Sequence, residues 1–151
     1  MLLLLFAVGE GSYAIDISLV EEVVPMMKLR DIPNTPDYVS GLFNYRGDFV
    51  PVIDLCQLMI GRGSKESLST RIVIIDFIVD KDKKVYLGLM AESVTTTIDE
   101  ADVSFTEASI SVEDSQYLGE VGAHNKDIIQ KIDINKLLPD FLKRVLFFDE
   151  G

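Results

Sequence analysis

Gly41-Leu42-Phe43-Asn44-Tyr45-Arg46-Gly47-Asp48-Phe49-Val50-Pro51-Val52-Ile53-Asp54-Leu55 joins a tight, charged turn to a buried strand, and the chain repeats its plan 79 positions later. Tyr38-Val39 is echoed by Tyr117-Leu118, Asp48-Phe49-Val50 by Asp127-Ile128-Ile129, and Ile53-Asp54-Leu55 by Ile132-Asp133-Ile134, after which Leu58-Met59 matches Leu137-Leu138. Internal self-similarity sets the architecture before any local assignment does, and here it points to two similar β units made by duplication. Only the first copy carries Asn44-x-Arg46-Gly47. The fold is therefore expected in both halves and the special chemistry in one.

The chain has 151 residues, enough for one domain or for two very small units sharing an interface. Halves of roughly 75 residues are marginal alone, so they are expected to pack together and unfold as one. An apolar fraction of 48% supports a real core. With 14 Lys and Arg against 25 Asp and Glu, the net charge of −11 repels phosphate backbones and anionic lipid. Nucleic acid and direct membrane insertion are thus poor expectations. The single cysteine, Cys56, permits no intramolecular disulfide and fits a reducing, cytoplasmic setting. Met1 to Val8 has no basic flank and no small-residue cleavage site, and it reads as a buried first strand rather than a signal peptide.

Turn signals divide the chain into at least eight short strands with short helices, which favours small barrels over a parallel sheet. Leu2 to Val8 is a continuous apolar run, and Tyr13 to Ile17 alternates. Asn34-Thr35-Pro36 reads as the start of a short helix that Gly41 would end. Pro51 marks an edge or a bulge, because it cannot donate to a ladder. Leu55 to Ile60 suits a short helix closed by Gly61. Ile72 to Val79 and Val85 to Met90 form a hairpin with its tip at residues 80–84, Thr95 to Ile98 is extended, and residues 99–114 read as an acidic surface loop. Asn135 to Phe148 reads as a C-terminal helix, interrupted or started afresh at Pro139.

Candidates for catalysis are few. His124 falls in the turn of the second copy with no evident partner, and Cys56 sits in an apolar helical stretch without a basic neighbour. One Cys and one His far apart do not make a zinc site. Gly61-Arg62-Gly63-Ser64-Lys65-Glu66-Ser67 lacks the phosphate-loop spacing and reads as a linker. Asp54 and Asp133 occupy equivalent places, and their expected task is capping the helix that follows. No catalytic residue, metal or cofactor is expected. What remains is binding, through a turn that offers Asn44 and Arg46 on Gly47. On composition alone that turn is an ordinary surface ion pair to Glu21 or Glu22.

At these residues the chain resembles the CheW family of chemotaxis coupling proteins. The motif runs through Pro33-Asn34-Thr35-Pro36, Gly41, Asn44, Arg46-Gly47, Val50-Pro51-Val52-Ile53 and Asp54-Leu55. The similarity extends upstream through Tyr13 to Ile17 and Val20-Glu21-Glu22-Val23, and downstream through Ile72 to Ile75, Gly88-Leu89 and Asp133 to Leu138. The resemblance implies a mainly all-β fold, with two SH3-like five-stranded barrels packed along a hydrophobic seam. The expected subdomains are roughly 1–63 and 64–151, with terminal segments free to cross over.

It also implies a non-enzymatic adaptor between the cytoplasmic tips of methyl-accepting chemotaxis receptors and the regulatory domain of the histidine kinase CheA, itself CheW-like. The suspected receptor-binding residues are Arg46, Asn44, Glu22, Gly47 and Tyr45, with Arg46 paired to Glu22. Tyr45 stands where the family usually has Leu or Ile, and Cys56 where a basic residue is common. The length is expected to hold this domain without the fused receiver domain of CheV relatives. A coupling protein of a pilus or surface-sensing pathway fits the same resemblance. The reading from a different class is a small-ligand-binding or hydrolytic barrel using Asp54 and Glu22.

Overall fold

The computed structural model describes residues 1–80, 83–108 and 115–147. Their elements are β1 (Leu2–Val8), β2 (Gly11–Asp16), β3 (Val20–Pro25), β4 (Val39–Tyr45), β5 (Asp48–Asp54), α1 (Leu55–Ile60), β6 (Arg71–Asp80), β7 (Lys83–Ala91), β8 (Ser93–Asp99), β9 (Leu118–His124), β10 (Asp127–Ile132) and α2 (Asp140–Phe147). They form two five-stranded sheets, ordered β3-β6-β7-β5-β4 and β8-β1-β2-β10-β9. The architecture is mainly β, and the two sheets are consistent with the expected SH3-like subdomains.

The two sheets have one topology. β5 pairs in parallel with β7, as β10 does with β2, and the remaining pairings are antiparallel in both. The hairpin β4–β5 therefore corresponds to β9–β10, and β6–β7 corresponds to β1–β2. In one sheet the chain supplies β3 to β7 in order. In the other it supplies β8, β9 and β10, and its own first two strands complete the set. The expected division near residue 63 thus does not follow the sheets. One is built from residues 20–91, and the other from 2–16 and 93–132.

Hydrophobic pattern explains the placement. β1 is a continuous apolar run and β6 is nearly one, broken only at Asp76 between Ile72 and Val79, as a strand buried on both faces should read. On β6, Ile72 and Ile74 face the core of their own sheet with Phe43, Tyr45, Val50, Val52 and Met90. Val73, Ile75 and Phe77 face the other way, into the seam. β1 does the same, with Leu3 and Leu5 joining Ala14, Ile98, Val103 and Ile129. Its Leu4, Phe6 and Val8 enter the seam, which also takes Leu55, Cys56, Ile134, Leu137, Leu138 and Leu142. The seam is the largest of the three clusters and binds the sheets into one body.

Several local expectations hold. α1 begins at the cap Asp54 and ends at Gly61, whose φ of 74° suits the left-handed C-cap. Asp133 repeats the capping task by accepting from Asn135 N at 3.1 Å. Asp54 N donates to Tyr38 O and Asp133 N to Tyr117 O, both at 2.7 Å, so the two copies also share a backbone bond. Pro51 lies just before β5 begins to pair with β7 at Val52, where a missing N–H leaves no gap. α2 starts afresh after Pro139, which accepts from Leu142 N and Lys143 N, while Phe148 lies outside the described residues.

Others are corrected. No helix follows Thr35. Its Oγ1 donates to Ile32 O at 2.7 Å, Val39 N donates to Pro36 O at 3.0 Å, and the segment is a pair of turns. Gly41 is not a helix stop but a strand residue at φ 142°, where an added Cβ would lie 2.5 Å from the Arg30 carbonyl oxygen. That close approach lets Arg30 exchange backbone hydrogen bonds with Leu42, at 2.9 and 2.8 Å. The acidic segment is not featureless. Glu100–Asp102 forms a 3₁₀ turn, Val103 is buried, and Thr106 bridges Val121, whereas residues 109–114 lie outside the described set. The hairpin tip expected at residues 80–84 joins β6 to β7, with residues 81 and 82 outside it as well.

Candidate functional site

The β4–β5 hairpin closes on two residues, Arg46 at φ 52° and Gly47 at φ 92°. Positive φ at both positions gives the turn whose twist matches antiparallel strands. Asn44 Oδ1 accepts from Gly47 N at 2.9 Å and fixes the turn from below. The β9–β10 hairpin has the same form, with Asn125 at φ 48° and Lys126 at φ 71°. His124 is the last residue of β9 rather than part of this turn. Duplication has kept the backbone geometry in both places and the Arg-Gly pair in one.

Around the first turn the structure brings Tyr45, Arg46 and Glu22 together. Glu22 sits on β3 beside a register shift opposite Ile74 and Ile75 of β6, and its side chain reaches the turn across the rim of the sheet. The Tyr45 ring is buried between Phe43 and Tyr86, at centroid distances of 6.3 and 5.5 Å. Its hydroxyl donates to Glu22 Oε2 at 2.6 Å. Arg46 Nη2 lies 3.6 Å from the same oxygen, and its guanidinium carbon lies 5.0 Å from the Tyr45 ring centroid. The Arg46 side chain is 69% exposed, so its charge faces solvent. The Glu22 carboxylate, as acceptor, pushes the Tyr45 phenol up to about 12, with burial adding to the effect. The phenol therefore remains a donor throughout the physiological range.

All five residues expected from the sequence, Glu22, Asn44, Tyr45, Arg46 and Gly47, lie in this arrangement. The Tyr45–Glu22 hydrogen bond was not legible, because it spans 23 positions and depends on the pairing of β3 with β6. A second cluster was missed altogether. The stretch expected to be a linker is held where the chain passes between sheets: Arg62 meets Glu92 through both guanidinium arms, and Lys65 N donates to Glu92 Oε2 at 2.9 Å. Those bonds hold the Glu92 carboxyl down to about 2, the Arg62 contribution being the largest. Arg62 and Glu92 stand 30 positions apart, and nothing in the local sequence announces the pair.

The two carboxylates of the hydrolytic reading are both engaged, Glu22 by the Tyr45 hydroxyl and Asp54 at the start of α1. Asp54 is buried, its Oδ1 accepting from Cys56 N and Ser64 Oγ and its Oδ2 from Ser64 N. Burial pushes the Cys56 thiol above its ordinary range, the state of an inert core thiol. A groove of about 700 Å³ is lined by Asp48, Phe49, Asp76, Lys83, Lys84, Tyr86 and Phe147 among others, and neither Asp54, Glu22 nor Arg46 lines it. Among the described residues no three His, Cys, Asp or Glu side chains gather as metal ligands, and no helix is long and apolar enough to cross a membrane.

Comparison with known proteins agrees with this fold. The CheW-like domain family matches residues 2–141. The chemotaxis protein CheW of Klebsiella aerogenes is 32% identical over 142 residues, covering 89% of this chain and 80% of that protein. CheV3 of Helicobacter pylori is 28% identical over 136 residues, covering 87% of this chain but 42% of the longer relative. The crystal structure of the scaffolding protein TtCheW from Thermoanaerobacter tengcongensis superposes with a TM-score of 0.75 at 25% identity, covering 91% of this chain and 87% of that one. With the family matched across nearly its whole length and the duplicated sheets in place, this chain belongs to the CheW-like domain family.

Proposed function

We propose that the protein is a non-enzymatic, cytoplasmic adaptor of chemosensory signalling, coupling receptor cytoplasmic tips to the regulatory domain of histidine kinase CheA, with the Arg46 turn facing the receptor. The observation that supports this reading is the difference between two hairpins of one geometry. Both close on two residues of positive φ, yet the guanidinium, the shared carboxylate and the buried phenol occur at only one of them. A feature needed merely to close the hairpin belongs in both copies. An outward Arg on a rigid turn suits recognition of an acceptor on a partner, since its planar fork loses little freedom when a contact forms.

The kinase contact in this reading is apolar and lies on barrel surface away from the turn, so that one small chain holds both partners together. The test is kinase activation in reconstituted receptor–CheA arrays, with Arg46→Ala compared with Asn125→Ala and Lys126→Ala. Arg46→Ala is expected to lose coupling while melting within a few degrees of the parent, because an exposed pair contributes only about 0–1 kcal/mol. The second-copy variants are expected to couple normally. Normal coupling by Arg46→Ala would make the turn purely structural. Competition between a receptor-tip fragment and the CheA regulatory domain for this protein would show that the two surfaces overlap.

A further inference from the structure

We infer that Tyr45 is a positioning residue that holds Glu22 in place, so that Arg46 is steered by the carboxylate without being consumed by it; this rests on the receptor-facing reading of the turn. One carboxylate oxygen, Glu22 Oε2, lies between the two groups. The phenol takes it at 2.6 Å, within the range of a charge-assisted O–H···O⁻ bond. The guanidinium stands at 3.6 Å, near enough for attraction and too far for a hydrogen bond. Among the described residues, the N–H groups of Arg46 reach no acceptor within hydrogen-bonding distance. They are left for a partner.

The anchor for this arrangement is inside the sheet. Tyr45 is 7% exposed and its ring packs edge-on to Phe43 and Tyr86, so the hydroxyl has a fixed position at the rim. Glu22 alone would be a flexible, half-exposed side chain, free to fold onto Arg46 and occupy its donors. Tied to the phenol, it presents a fixed negative charge beside the turn, while the same ring lies under the guanidinium at 5.0 Å. The counterpart of Tyr45 in the second copy is His124, next to Asn125, and no such arrangement exists there.

The experiment measures binding of a receptor-tip fragment to the full chain and to Tyr45→Phe, Glu22→Ala, the double variant and Arg46→Ala, each with its melting curve. Tyr45→Phe keeps the ring and removes only the donor. It is expected to weaken binding roughly two- to tenfold, the range for losing the order of one or two side chains at an interface. In the Glu22→Ala background the same change is expected to do nothing further, because the phenol acts only through that carboxylate. Equal losses in both backgrounds would mean that the hydroxyl matters for packing, and the inference fails. Unchanged binding by Tyr45→Phe beside a clear loss in Arg46→Ala overturns the inference and leaves the site reading intact. Normal binding by Arg46→Ala overturns the site reading and this inference with it. If Tyr45→Phe does not fold, Glu22→Ala decides: wild-type affinity there removes the link through which Tyr45 is said to act.

Discussion

Arg62 and Glu92 meet arm to arm, Nη1 to Oε2 at 3.0 Å and Nη2 to Oε1 at 2.9 Å, at the single residue between β7 of one sheet and β8 of the other. Gly9 N also donates to this carboxylate, at 3.2 Å, and Glu92 N donates to Ala7 O at the same distance. The pair thus ties the β1–β2 turn, the loop after α1 and the crossover between sheets.

Glu92→Gln is expected to lower stability at neutral pH by about 1–3 kcal/mol, because a charged acceptor of several hydrogen bonds is replaced by a neutral one. The pH dependence follows from the lowered carboxyl, held at about 2 against an ordinary 4.5. A depressed folded-state value means that the stabilisation is present above roughly pH 4.5 and fades as pH falls toward 2. Melting curves of the parent and the variant should therefore differ at pH 7 and converge near pH 2 to 3. A gap that persists undiminished at low pH would assign the effect to packing instead.

Tyr45 supplies a second titration, of opposite sign. Its phenol is raised to about 12, so the stability tied to that proton is present below the ordinary value of 10 and is lost as pH rises through 12. Spectrophotometric titration of tyrosinate should show Tyr45 ionising last, behind Tyr13, Tyr38 and Tyr86, whose phenols are raised as well. Tyr45→Phe should delete that late component, and Glu22→Ala should bring it down toward the others.

Gly41 and Gly47 both have positive φ and should respond differently to alanine. At Gly47 an added Cβ meets nothing within 4 Å, so the cost is backbone strain alone, about 1–2 kcal/mol. At Gly41 the Cβ lies 2.5 Å from the Arg30 carbonyl oxygen and the backbone must move as well. Gly41→Ala is expected to cost about 3 kcal/mol or more in urea unfolding. Equal midpoints for the two variants would contradict the close approach.

Neither half should fold alone, wherever the chain is cut. A fragment of residues 1–63 splits both sheets, since it holds β1 to β5 without β6, β7 or β10. A fragment of residues 20–91 holds one whole sheet, yet it exposes Val73, Ile75, Phe77, Leu87 and Leu89 on the seam face. Dispersed amide signals and a cooperative melt from either fragment would refute this.

The parts legible in the sequence were those with short-range causes. Asp54 capping α1, Gly61 ending it and the turn on Gly47 are decided within a few residues. Of the two-faced strands, β1 showed as an unbroken apolar run, and the 79-residue repeat was visible as a repeat. The place of the division was not, because β2 pairs with the distant β10 and β1 with β8, contacts that no neighbouring residues announce. Thr35-Pro36-Asp37 carried good helix-start chemistry, and the Arg30–Leu42 bridge overrode it. The Arg46–Glu22 pairing came through resemblance. The part played by the Tyr45 hydroxyl required knowing which way a buried ring points.

That β2 lies against β10 has a consequence for how the protein is made. On a ribosome the first hairpin emerges long before its parallel neighbour exists. Ala14 must wait for Lys131, its register partner, which at typical elongation rates takes on the order of ten seconds. During that interval Leu3 and Leu5 lack Ile98, Val103 and Ile129, and β2 presents an open edge to any strand nearby. The sheet of residues 20–91 can gather in chain order as it is synthesised, whereas the other can close only when β10 returns to β2. In a crowded polysome the same vacancy could be filled by the β10 of an adjacent nascent chain, which makes the amino-terminal hairpin the natural point of exchange between molecules.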